Sequence, residues 1–311
     1  METQMKWYQH ICLELLWGLF LVISITPRCF RYYILKPFLA LLLILSHYRH
    51  KVIAENLSKS FPEKSRQEIR RLVRSYYIHL AEVAVDIISL VGANERRKDR
   101  AVNWVNAKEV TERLNGKDWI AVGAHYGCWE YLPLWSRKQM CNTFMSVYHP
   151  MSSMVFDCFF QRMRRYSDNI TTVPMKSTIT YYLRNRNKGK GIILGLLSDQ
   201  SPNLRADTHW FRFLNQDTAF IDGAESIATK FKIPILFAYT KRVAPGRYEV
   251  MLEEIYDGKE DVAQHEITQR YATRLEKMIE EHPELWMWSH KRWKHTPEGQ
   301  ERRFGTCTLE K

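Results

Sequence analysis

Short apolar runs alternating with helical stretches constrain this 311-residue chain more than any other feature. Residues 119–124, 143–148, 192–197, 233–240 and 248–254 are rich in Ile, Val and Leu and are bounded by turn residues, the pattern of buried strands. Helical stretches stand between or beside them at 129–138, 152–166, 177–186, 222–231 and 261–281. Upstream, residues 63–91 carry Ile69, Leu72, Val73, Tyr76, Leu80, Val83 and Ile87 on one face, a stripe that reads as core packing. The alternation predicts one α/β domain with a mixed central sheet flanked by helices, and the length suffices for one sizeable domain plus an appendage.

The stretch 119–130, Trp-Ile-Ala-Val-Gly-Ala-His-Tyr-Gly-Cys-Trp-Glu, places the first chemistry. Its strand delivers His125 into a turn that Gly127 permits, and a helix opens at Trp129 with Pro133 near its start. Polar residues at the carboxyl ends of strands are where open α/β folds build active sites. Residues five apart on one helix point about 140° away from each other. With His125 in the turn and Glu130 one turn into the helix, however, the carboxylate reaches the imidazole and fixes its tautomer. The other ring nitrogen then takes a proton from a substrate hydroxyl, and amides at the helix start are placed to hold an oxyanion. The plainer alternative is a histidine that caps its neighbours and a solvated glutamate.

Lys and Arg outnumber Asp and Glu by twelve, which suits an anionic partner: a membrane surface, a phosphorylated lipid, an acidic protein or nucleic acid. The basic residues are dispersed and no nucleic-acid-binding motif is present, so no nucleic-acid partner is expected. Ten Trp and sixteen Tyr suit a protein working at an interface. Six cysteines lack metal-ligand spacing, which argues for a reducing compartment and against a structural metal; Cys128 reads as a small apolar filler. Residues 11–26 are apolar apart from Glu14, and a second apolar run covers 37–46. Arg28, Arg31 and Lys36 between them would keep the body of the protein cytoplasmic. The region 1–46 is therefore expected to be a membrane anchor, either a short span or a helix lying in the interface, and 47–311 the domain proper. The alternative is a hydrophobic helix buried against the domain, and no cleavage pattern of a signal peptide follows.

Several motifs together resemble the late acyltransferases of bacterial lipid A biosynthesis, the lauroyl and myristoyl type, within the wider glycerolipid and lysophospholipid acyltransferase superfamily. His125-Tyr-Gly-Cys-Trp-Glu130 is similar to that family's His-x-Gly-Asn-Trp-Glu, with Cys128 in place of Asn. Asn56-Leu-x-x-x-Phe-Pro62 is similar to a segment that follows the family's anchor. Tyr148-His149-Pro150 stands where the family shows Tyr-Arg-Pro, so the arginine's role in binding substrate has His149 in its place. Arg162, Arg164 and Arg165 lie where the family places arginine, Asp199-Gln200 match its Asp-Gln, and an aromatic loop from Trp210 precedes a helix, with Leu214-Asn215 where glycine often follows. Residues 283–294 resemble its Pro-Glu-x-x-x-Trp-x-His-x-Arg-x-Lys ending.

The resemblance implies a glycerolipid acyltransferase-like fold and transfer of a fatty acyl chain from acyl carrier protein to a hydroxyl of a lipid A precursor. The site would be at the cytoplasmic face of the inner membrane. His125 would act as general base and Glu130 as its partner, without a metal, a cofactor or a covalent acyl-enzyme. One of Arg162, Arg164 and Arg165 would hold a phosphate or a carrier carboxylate, and Asp199 would orient the acceptor or steady an arginine, with Gln200, Tyr148 and His149 beside it. Another acceptor (a lysophospholipid, aminolipid or glycolipid), an acyl-CoA donor, or a non-catalytic membrane-binding role are the alternatives.

Overall fold

A computed structural model describes residues 5–138, 140–165 and 167–305. The apolar start of the chain forms α1 (Trp7–Ile25), a helical turn α2 (Arg28–Phe30), a π-helical turn Arg31–Leu35 and α3 (Lys36–Leu45). Then come α4 (His50–Ser60), α5 (Arg66–Val91), α6 (Glu95–Ala101), β1 (Val102–Trp104), α7 (Ala107–Leu114) and β2 (Trp119–Gly123). A 3₁₀ helix, Trp129–Arg137, leads to β3 (Asn142–Tyr148), α8 (Met154–Met163), β4 (Ile170–Pro174), α9 (Thr178–Asn185) and β5 (Gly191–Leu197). The rest is β6 (Trp210–Phe213), β7 (Gln216–Ala219), α10 (Gly223–Phe231), β8 (Ile235–Ala244), β9 (Arg247–Tyr256), α11 (Glu266–Glu281) and α12 (Pro297–Phe304). Cys307, and Tyr166 at the expected end of the 152–166 helix, lie outside the described residues.

Among the described residues seven strands form one sheet in the order β1-β9-β8-β2-β5-β3-β4. Every neighbouring pair is parallel except β8 and β9, which the Pro245-Gly246 turn folds into an antiparallel hairpin. The sheet is therefore mixed, with helices covering it, as the alternation of strand and helix predicted. Burial follows the strand period of two. Ile120, Val122, Ile192 and Leu194 join α4, α5 and α11 in a core on one side, whereas Trp119, Phe144, Ile193 and Leu236 join a second core on the other. The helix read at 129–138 tightens to 3₁₀ around Pro133, which has no N–H for an α-helical bond. Residues 210–219 form a hairpin rather than a loop, and Leu214 and Asn215 both take positive φ in its two-residue turn.

α5 is the pillar of the N-terminal half. Ser65 caps it reciprocally with Glu68, and α1, α3 and α4 all pack on it. The basic residues Arg96, Arg97, Lys98 and Arg100 lie in α6, and Arg97 reaches back to bond the carbonyls of Ser24 and Ser89 at 2.7 and 3.1 Å. The C-terminal end of α1 is thus fastened to the domain. Beneath α2, Tyr32 donates to Asp86 at 2.5 Å and Tyr248 donates to the other carboxylate oxygen at 3.2 Å. Next to them Glu82 accepts two bonds from Arg242 and one from Lys36. Burial, and then Glu82, push the Asp86 carboxyl up to about 8 against the pull of the phenol hydrogen bonds. A carboxyl raised in the folded state contributes stability that is complete below its unfolded pKa of ~4 and is lost as pH rises through the folded value. Asp86→Asn is therefore expected to gain melting temperature relative to wild type as pH rises from about 5 to about 9. A pH-independent difference in thermal unfolding would contradict this account of Asp86.

Candidate active site

Parallel pairing brings the site together. β2 and β5 are in register, Gly123 opposite Leu197, and the Ser198 N–H bonds the Gly123 carbonyl just past that pair. Two residues further on each chain stand His125 and Asp199, side by side at the carboxyl end of the sheet. His125 Nδ1 lies 2.8 Å from Asp199 Oδ1, and the His125 backbone N–H donates to Oδ2 at 3.0 Å. The indole of Trp286 donates to the same Oδ2 at 2.9 Å. Asp199 is buried, and burial alone would push its carboxyl up. His125, the Trp286 indole and the His125 amide outweigh that and hold it below the ordinary carboxylate range.

An ionised Asp199 can only accept, so the ring proton of His125 sits on Nδ1 and the lone pair on Nε2. The Gln200 side-chain amide lies 3.2 Å from Nε2 and is oriented to donate to it. A chain segment following α11 clamps this loop from the other side. Gly127 N–H bonds the Leu285 carbonyl at 2.9 Å, and Met287 N–H bonds the His125 carbonyl at 3.1 Å. Gly127 has φ +58°, and a Cβ there would lie 2.7 Å from the ring of Tyr248, so glycine lets the turn close over that ring. The segment is held in turn by Asn56, whose amide bonds the carbonyls of Trp288 and His290 at 2.9 Å.

His125 faces a cavity of about 730 Å³. It runs along the face of the sheet that holds Trp119, Ala121, Gly123, Phe144, Ser146, Gly195 and Ala238. Small residues hollow it: a Cβ on Gly195 would lie 2.7 Å from the Phe144 ring. From His125 back to Trp119 the trough extends ~20 Å by strand rise. It ends on Trp104, Trp119 and Trp135, whose rings meet edge to face at 4.9 and 6.1 Å. In the cavity wall Arg164 makes a two-pronged pair with Glu130, at 2.8 and 2.5 Å.

A strand-end His–Asp pair over an apolar trough is consistent with many hydrolases and transferases, and the family comparison decides between them. The profile described as bacterial lipid A biosynthesis acyltransferase matches residues 3–295. The chain belongs to this family. It is accordingly an acyltransferase. Among solved structures the chain is similar to the 1-acyl-sn-glycerophosphate (LPA) acyltransferase PlsC from Thermotoga maritima. The identity is 14%, with 82% of this chain and 99% of that one covered and a TM-score of 0.37. No curated protein matched.

Within this acyltransferase the expected site residues divide. His125, Glu130, Arg164, Gln200, Tyr148 and His149 all line the cavity, and Asp199 stands behind His125. The carboxylate on His125 Nδ1 is Asp199, not Glu130 as the short spacing suggested; Glu130 pairs with Arg164 instead. Strand register decides this, because it delivers Asp199 beside His125, whereas the turn after Gly127 carries Glu130 toward α8. Of the three arginines Arg164 reaches the cavity; Arg162 bonds Glu14 at 2.8 Å and stacks 4.1 Å from the Trp17 ring centroid, fastening α1 to α8, and Arg165 is exposed. His149 is exposed at the rim with Nδ1 3.0 Å from the Pro150 carbonyl, and Tyr148 accepts a bond from Gln161 at 2.9 Å. Trp286 was the residue sequence reasoning missed. It stands in the ending that resembles the family's, but nothing in its spacing points to Asp199.

Proposed function

We propose that this acyltransferase moves a fatty acyl chain from acyl carrier protein to a hydroxyl of a lipid A precursor, with His125 as general base. The observation that carries the reading is the Asp199-held imidazole at the open end of an apolar trough, in a chain of this family. In the reaction Gln200 yields Nε2 to the acceptor hydroxyl, and the imidazole takes its proton. The alkoxide oxygen attacks the thioester carbonyl carbon, and the Arg164 guanidinium, held by Glu130, faces the charge that develops on the carbonyl oxygen. The carbon–sulfur bond then breaks, and the leaving thiolate recovers the proton from His125. Asp199 remains ionised throughout and balances the imidazolium. The net charge of +12 supports partners that are all anionic: carrier protein, lipid phosphates and membrane.

The trough suits the acyl chain, because it is apolar, closed by tryptophans and begins at the base. Ala121→Phe, placed midway along it, is expected to shift the preferred donor toward shorter chains, by about tenfold in the ratio of kcat/KM values. Competition between thioesters of different length measures that ratio, and an unchanged preference would remove the acyl chain from this trough.

α1 is long and apolar enough to cross a bilayer, yet one flank packs on α5 and α8 while the other is exposed. Arg97, Arg162 and Leu13 fasten it to the domain along its length, which supports a helix lying in the membrane interface at the cytoplasmic face of the inner membrane. The function is tested by offering acyl carrier protein and coenzyme A thioesters with a tetra-acylated lipid A precursor and a lysophospholipid. Product on the precursor from the carrier thioester is expected. Product on the lysophospholipid alone would overturn the pathway and leave the chemistry standing.

A further inference from the structure

The rim of the cavity carries a second apolar surface that the fold does not cover. Met175, Ile179 and Leu183 recur at i, i+4 and i+8 through α9 and the turn before it, and they are 46, 45 and 49% exposed. Their spacing puts them on one face, so this is a stripe rather than scattered surface residues. Across the mouth Met151 and Phe156 are 46 and 45% exposed, at and just before the start of α8. Met151, Met175 and Ile179 also line the cavity, so its opening passes between the two apolar edges. A soluble protein gains nothing from ringing the mouth of a polar reaction site with bare methionine, isoleucine and leucine.

Charge says what the surface meets. The segment 175–190 contains Lys176, Arg184, Arg186, Lys188 and Lys190 and no acidic residue. Asp157, the acid beside the rim on α8, is turned onto the Met151 N–H at 2.8 Å and the Gln161 amide at 2.7 Å. An apolar stripe flanked by cations is the form of a helix that sinks into the headgroup region of an anionic bilayer. The surface also adjoins α1, which packs on α8 where Trp17 and Phe20 meet Phe159 at 5.5 and 5.1 Å between ring centroids.

We propose that this rim is a bilayer-contacting surface separate from α1, so that the cavity opens into the lipid leaflet and its acceptor enters sideways from the membrane. The entry of an acceptor rests on the proposed function; the contact with lipid does not.

The test uses the wild-type chain in phosphatidylethanolamine–phosphatidylglycerol vesicles doped with a phospholipid that carries a diazirine on its acyl chain. Photo-adducts mapped by mass spectrometry are expected on Phe156 and Leu183, neither of which lines the cavity, as well as on the exposed flank of α1. Val105 and Val243, exposed elsewhere, are the controls. Adducts on α1 but none at 151–156 or 175–183 would overturn the proposal whatever the enzyme acylates. The double substitution Phe156→Glu with Leu183→Glu reads the consequence. Acyl transfer to acceptor in vesicles is expected to fall about tenfold, while transfer to detergent-dispersed acceptor stays within about twofold. An equal loss in both, with a raised KM for the carrier thioester, would assign the rim to protein docking and overturn the proposal.

Discussion

His125→Asn is expected to lower kcat by about 10²–10⁴-fold, the range that general-base catalysis supplies. The side chain is only partly exposed, and its Nε2 is the ring nitrogen that faces the cavity while Nδ1 is bound to Asp199. Asparagine retains a polar group of similar reach at Nδ1, so the Asp199 contact and the fold are preserved while the base is lost. The thioester should still bind, because the trough from Ala121 to Trp119 is untouched, and KM for the donor should move little. The measurement is steady-state acyl transfer with purified variant, with donor binding followed separately. A variant that keeps a tenth or more of wild-type kcat would mean that the acceptor proton leaves by another route.

Asp199→Asn is the second large effect, and its size follows from how the carboxylate is used. Oδ2 accepts from two fixed donors, the His125 backbone N–H and the Trp286 indole, and Oδ1 accepts from His125 Nδ1. An asparagine must give its oxygen to the two fixed donors and turn its NH₂ toward Nδ1. The imidazole would then have to accept there and carry its proton on Nε2, the tautomer that cannot take a proton from a hydroxyl. The same tautomer inversion in serine proteases costs about 10⁴-fold. Here a loss of about 10²–10⁴-fold in kcat is expected. Because the Asp199 pKa is depressed in the folded protein, the stability it contributes is present above the unfolded carboxylate value and lost as pH falls through the folded one. The variant should therefore differ most from wild type in thermal unfolding near neutral pH and converge on it in strong acid.

The fold was legible because its signals are local. Apolar runs of six to eight residues, the one-sided stripe from Ile69 to Ile87 and the Pro245-Gly246 turn each announce themselves within a short window. The cavity residues His125, Tyr148 and Gln200 were legible for the same reason, since each stands at or just past the carboxyl end of a strand. What escaped was long-range. His125 and Asp199 are separated by 74 positions, and only the pairing of β2 with β5 makes them neighbours. Trp286 is 87 positions from Asp199 and arrives just past the 3₁₀ turn Pro283–Leu285, in a single β-bridge with Tyr126. A glutamate five residues from the histidine was the nearest carboxylate in sequence, and nearness in sequence misled because Arg164 holds it elsewhere. The division of labour among Arg162, Arg164 and Arg165 was equally hidden, because it depends on which side of α8 meets α1.

Which carboxylate serves His125 is the question on which the account turns, and parallel kcat measurements on Asp199→Asn and Glu130→Gln answer it most directly. With saturating acyl carrier protein thioester and lipid acceptor, the account predicts that Asp199→Asn loses about 10²–10⁴-fold in kcat. Glu130→Gln, which weakens the hold on Arg164 and leaves the imidazole in its working tautomer, should lose distinctly less. The reverse order, with Asp199→Asn near wild type and Glu130→Gln inactive, would contradict the account and return the histidine's partner to Glu130.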